Sequence, residues 1–171
     1  MDMRYFIKKL TFLILALILP YFSCGHTPGA ALPKDYRTIY LYEIFNDSNQ
    51  TDLPDILKTS LKDEFTIDGR LIIVDDIEKA DLVLALRILK YNVAPITYGQ
   101  NQLPDQMAVA LQVKMALQDI KTNRILRTSE MEEKSFFNNL TEPMSTESSA
   151  KEQLLENITR KILLATIEGF Y

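Results

Sequence analysis

The stretch Gln106-Met-Ala-Val-Ala-Leu-Gln-Val-Lys-Met-Ala-Leu-Gln-Asp119 decides the fold. Met107, Val109, Leu111, Val113, Met115 and Leu117 alternate with Ala108, Ala110, Gln112, Lys114, Ala116 and Gln118. Successive side chains of a strand point to opposite faces, so this is a long strand with one apolar face. An earlier run repeats the pattern, with Leu82, Leu84, Leu86 and Ile88 on one side and Val83, Ala85, Arg87, Leu89 and Tyr91 on the other. The two runs read as a long hairpin. Pro95, Gly99 and Pro104 mark Val93 to Asp105 as its connecting loop.

Working outward, Lys121-Thr122-Asn123 is a tight turn into another strand, from about Arg124 to Phe136. Upstream, Arg37 to Phe45 is rich in β-branched and aromatic residues and reads as the first strand. Thr51 or Asp52 is placed to cap a helix with Pro54 in its first turn, where a missing N–H costs nothing. Leu53, Ile56, Leu57, Leu61 and Phe65 lie on one face of that helix, and Gly69 suits its C-terminal cap. Leu71 to Val74 is a short strand, and a strand–helix–strand unit of this length implies a right-handed crossover between parallel strands. After a polar loop from Asn138 to Ser149, Leu154, Leu155, Ile158, Ile162, Ala165 and Ile167 mark a terminal amphipathic helix ending at Gly169.

These elements predict an α+β fold, a two-layer α/β sandwich whose mixed four- to five-stranded sheet, mostly antiparallel, carries two helices on one face. The other sheet face offers Tyr40, Tyr42, Val83, Ala85, Leu89, Tyr91, Ala108 and Ala110, less polar than a solvated antiparallel sheet usually is. Two readings stay open for it: scattered apolar side chains in water, or a surface that meets another protein's interior or a lipid. Arg87 and Lys114 stand among these residues, serving either solubility or an anionic group.

The first residues read as an address. Arg4, Lys8 and Lys9 precede an apolar run from Leu10 to Leu19, then Pro20 and Ser23 ahead of Cys24, the layout of a secretory signal peptide. The run falls short of the about 20 apolar residues of a spanning helix. Cys24 is the single cysteine, and Leu-Pro-Tyr-Phe-Ser-Cys resembles the lipobox at which bacterial lipoproteins are cut and acylated, although Tyr21 and Phe22 depart from its usual leucine and small residue. The expected organisation is a signal peptide over 1–23, a lipidated tether over 24–36 and one α/β domain over 37–171. Covalent lipid on Cys24 then anchors the chain to a bilayer without spanning it.

Composition excludes several functions. The chain of 171 residues is 47% hydrophobic and 25% charged, with a formal net charge of -4, which provides no basic footprint for nucleic acid. One His and one Cys leave no zinc site and no intrachain disulfide. With the lone His26 in the tether, a histidine-dependent triad lacks its base, and five scattered glycines form no phosphate loop. Asp63-Glu64, Asp75-Asp76 and Glu132-Glu133 are sequence neighbours whose side chains diverge, so they read as solvated surface. No enzyme and no cofactor are expected.

One resemblance covers most of the chain. Cys24-Gly25-His26, Leu32-Pro33 leading into Tyr36-Arg37-Thr38-Ile39-Tyr40, Phe45-Asn46-Asp47-Ser48, Leu61-Lys62-Asp63-Glu64-Phe65 closing on Gly69-Arg70-Leu71, Ala80-Asp81-Leu82-Val83-Leu84, and Asp119 before the Lys121 turn together resemble the lipopolysaccharide-assembly lipoprotein family LptE. The resemblance implies a two-layer sandwich on the periplasmic side of the cell outer membrane, held there by its lipid. It implies a subunit that plugs the β-barrel protein LptD, assists its assembly and handles lipopolysaccharide. Because that ligand is anionic, Arg87, Lys90, Lys114, Lys121, Arg124 and Arg127 are the candidate contacts. The alternative is an outer-membrane lipoprotein whose periplasmic α/β domain binds and activates a cell-wall synthase. Such proteins carry a long tether, whereas little chain separates Cys24 from the first strand here.

Overall fold

The computed structural model describes residues 32, 33, 35–100, 102–138 and 146–168. The signal segment, Cys24, His26 and Gly169 lie outside the described residues. The chain enters the sheet as β1, Thr38–Asn46, whose Ile39, Leu41 and Ile44 are buried. Tyr42 and Glu43 together oppose one residue of the neighbouring strand, so this bulge returns Ile44 to the core in place of Glu43. The helix α1, Leu53–Asp68, buries Leu53, Leu57, Leu61 and Phe65. Ile56, placed by its spacing on the same face, lies at its flank and is 36% exposed. Asp52 occupies the N-cap position without capping, because its carboxylate reaches instead to Lys151 Nζ at 2.7 Å. Gly69 ends the helix at φ 71 and donates its N–H to the Phe65 carbonyl at 3.0 Å. Nothing lies within 4 Å of a Cβ built there, so glycine is required by the left-handed backbone and not by crowding.

β2, Ile72–Val74, runs parallel to β1 as the crossover predicts, and a short 3₁₀ turn, Ile77–Lys79, leads to β3, Leu82–Tyr98. β4 is Pro104–Asp119, β5 is Arg124–Asn138 and α2 is Glu147–Ile167. The sheet order is β2-β1-β3-β4-β5. β1 is parallel to both neighbours, while the two longer ladders, β3–β4 and β4–β5, are antiparallel.

Two sequence expectations need correction. The connecting loop is much shorter than Val93 to Asp105, since Val93 to Tyr98 and Pro104 to Asp105 continue the hairpin. Pro95 is tolerated because β1 pairs no further than Ile88, which leaves β3 with a neighbour on one side only. Nor does Tyr91 face outward. Ile88 pairs with Val113 and Lys90 with Gln112, so Leu89 is an extra residue and the alternation shifts by one. Lys90 thereby turns to the open face, while Tyr91 and Val93 pack against the core, with Lys151 Nζ 5.9 Å from the centre of the Tyr91 ring.

Both helices cover one face, where Leu84, Ile88, Leu111 and Met115 meet Leu57, Phe65, Leu154 and Ile158 in a single core. Thr146 and Ser149 form a reciprocal capping box at the start of α2. The Asp52–Lys151 pair sets the first turns of the two helices side by side. β5 is an edge strand, and Glu133, facing the helices and paired with Lys161, guards that edge against added strands. Packing also reaches back before β1, since Leu32 and Tyr36 rest against the core.

Candidate functional site

No described residue covers the face away from the helices, and register divides it into three bands. Nearest the chain entry, Tyr40 meets Tyr42 edge-on at 6.5 Å, and Tyr42 lies 6.4 Å from Phe45. Beside this row a shallow depression of about 330 Å³ is lined by Tyr42, Ile77, Val83, Ala85 and Ile120. The middle band is charged. Arg87 Nη1 reaches both Asp47 oxygens at 3.1 and 3.2 Å, and its guanidinium lies 5.3 Å from the Phe45 ring centre. Lys114 stands between Arg87 and Glu130 in the register.

Towards the hairpin tip, Ala94, Ala108 and Ala110 form a low floor because the branched partners Val109 and Leu111 point into the core. Lys90, Asn92, Gln112, Glu132 and Lys134 rise around that floor and enclose a trough of about 430 Å³. Lys134 pairs with Glu132 at 2.8 Å. That contact, helped by the charge of Lys90, holds the Glu132 carboxyl below the usual carboxylate range. The trough therefore joins small apolar surface to two cations whose local balance is positive.

The six sequence candidates do not converge. Arg87 is committed to Asp47 and Phe45, and Lys121 to Asp81 at 2.8 Å. Arg127 faces the helices and donates to the Ala165 carbonyl at 3.1 Å. Arg124 is exposed at the entry end, and Lys114 is exposed in the middle band. Of the six only Lys90 lines the trough, and it is joined there by Lys134, which is not among them. The signal for Lys134 was present: Glu130, Glu132, Lys134 and Phe136 alternate with Met131, Glu133, Ser135 and Phe137, which puts Lys134 on the face of Ala110.

Two aspartates fasten the entry end. Asp81 accepts from the Arg37 and Thr38 N–H groups at 3.0 and 3.2 Å, from Thr38 Oγ1 at 3.0 Å and from Lys121 Nζ. The Lys121 contact, followed by these donors, outweighs burial and holds its carboxyl far below the usual range. Asp119 accepts from the Tyr36 hydroxyl at 3.0 Å and from the Lys121 and Thr122 N–H groups. Burial pushes its carboxyl up, yet these donors leave it lowered. The motif residues Asp81 and Asp119 are thus joinery between β1, β3 and the β4–β5 turn. Among the described residues no His, Cys, Asp and Glu cluster is placed to hold a metal, and no helix is long and apolar enough to cross a membrane.

The fold is one that solved bacterial lipoprotein domains share. Lipoprotein B from Nitrosomonas europaea superposes with a TM-score of 0.59 at 13% identity, over 81% of this chain and 85% of that one. A minor lipoprotein from Acinetobacter baumannii gives 0.51 at 18% identity, over 77% and 92%. A PelC dodecamer from Paraburkholderia phytofirmans gives 0.51 at 14%, over 84% and 94%. At such identities the likeness is one of fold. No curated protein is significantly similar in sequence. The model of the lipopolysaccharide-assembly family LptE matches residues 36–166, and the chain belongs to that family.

Proposed function

We propose that this chain is the outer-membrane subunit that sits in the LptD β-barrel, supports its assembly and contacts lipopolysaccharide on its way outward. The observation that carries the reading is the uncovered sheet face, apolar near the chain entry and bearing a lysine-flanked alanine trough towards the tip. A barrel wall is the natural cover for the first region, and an anionic amphiphile suits the second. The length of β3 agrees with a lumen plug, since 17 residues at about 3.3 Å each give a rod of about 55 Å, long enough to span a bilayer with its headgroups. Acylated Cys24, a short way upstream of the clamped Tyr36, keeps the domain beside the membrane that holds the barrel. The chain acts by binding and not by catalysis.

The test is affinity purification of the tagged protein from detergent-solubilised outer membrane, with partners identified by mass spectrometry. Recovery of LptD in about equal amount is the expected result. Recovery of a cell-wall synthase, or of no barrel, sinks the proposal.

A further inference from the structure

The solvent side of the helix layer carries a second surface, remote from the open sheet face. A groove of about 620 Å³ runs between α1 and α2. Its floor is Ile56, 36% exposed, with Leu155 buried beside it. Its rim is acidic on both sides, with Asp63 and Glu64 on α1 and Glu152 and Glu156 on α2. The cations nearby are already committed: Lys151 pairs with Asp52 at 2.7 Å and Arg160 with Glu156 at 3.1 Å. Asp63, Glu64 and Glu152 take part in no ion pair among the described residues.

Carboxylates facing one another across a groove repel, so this arrangement does nothing for the packing of the two helices. What it complements is positive charge. Anionic lipid, lipopolysaccharide and nucleic acid are all disfavoured there by the same sign rule. From Asp52 to Glu64 the groove extends for about 18 Å at 1.5 Å per residue, the length of a three-turn helix. An amphipathic helix of that size seats one apolar anchor on Ile56 and Leu155 and sends Lys or Arg from either flank to the two rims.

We propose that the α1/α2 groove docks a cationic amphipathic helix of a partner protein. The site lies on the opposite side of the sandwich from the open sheet face, so it is a separate binding surface.

The test titrates the mature lipoprotein, in phosphatidylcholine nanodiscs, with a labelled peptide of about three helical turns that has one leucine stripe flanked by lysines. A scrambled peptide of equal composition and empty nanodiscs are the controls. The expected result is binding at least roughly tenfold tighter than the scrambled peptide, with amide NMR shifts confined to the groove. Ile56→Ser, and Glu64→Gln combined with Glu152→Gln, each weaken it roughly tenfold while Tm stays unchanged. Equal binding of the two peptides, unaltered affinity in both variants, or shifts on the open sheet face overturn the proposal.

Discussion

Arg127, on β5, donates through Nη1 to the carbonyl oxygen of Ala165, 3.1 Å away in the last turn of α2. That turn contains no basic residue of its own, so its unpaired carbonyls and the negative end of the helix dipole are answered from the sheet. Arg127→Ala is expected to lower stability in urea by about 1–2 kcal/mol. Lys114→Ala, which removes an exposed cation that has no ion pair among the described residues, is expected to stay within about 0.5 kcal/mol. Equal stabilities for the two variants would reject this role for Arg127.

Acid should unfasten the entry end. Asp81 titrates lower in the folded chain than its ordinary value, so the charged form stabilises the fold above that value. As pH falls through about 3.9 towards the depressed folded value, the contribution is lost. Asp81→Asn is expected to cost on the order of 2 kcal/mol at neutral pH. Its deficit relative to the unmodified chain should shrink steadily below about pH 4, as read by denaturant melts across the acid range. A deficit that is constant with pH would mean that the shape of the residue matters and its charge does not.

Much of the fold was legible because strand and helix periods are written directly into Leu82–Ile88, Met107–Leu117 and the α1 face, and because Pro54 and Gly69 bracket that helix. The errors have a common physical source. A bulge adds one residue without any special composition, so nothing about Leu89 announces that Lys90 and Tyr91 exchange faces. Pro95 reads as a loop until the sheet order reveals that it lies where β3 has lost its β1 neighbour. The trough was half legible: alternation along β5 puts Lys134 on the face of Ala110, whereas Lys90 reaches that face only through the bulge.

The bulge makes a direct prediction about Tyr91. Its ring rests on the core beneath Lys151, so Tyr91→Ala is expected to cost about 2 kcal/mol, less than a fully buried aromatic ring. Lys90→Ala, one residue away and outward, should change stability by less than about 0.5 kcal/mol. Strict alternation along β3 from Leu82 predicts the reverse order, and thermal melts of the two variants decide between the registers.

The trough sets the lipopolysaccharide prediction apart from general electrostatics. If Lys90 and Lys134 meet anionic groups while the alanine floor receives apolar surface, each Lys→Glu change should weaken lipopolysaccharide binding by roughly tenfold, and added salt should narrow the difference. Ala110→Leu alters no charge, yet it raises the floor with a branched side chain and should weaken binding as well. Arg87→Ala and Lys121→Ala should matter less, because Asp47 and Asp81 already hold those cations. Binding of labelled lipopolysaccharide to the purified variants separates the cases. Loss at Lys90 and Lys134 with full binding by Ala110→Leu would place the ligand on the rim alone, whereas a larger loss at Arg87 or Lys121 would move the contact away from the trough.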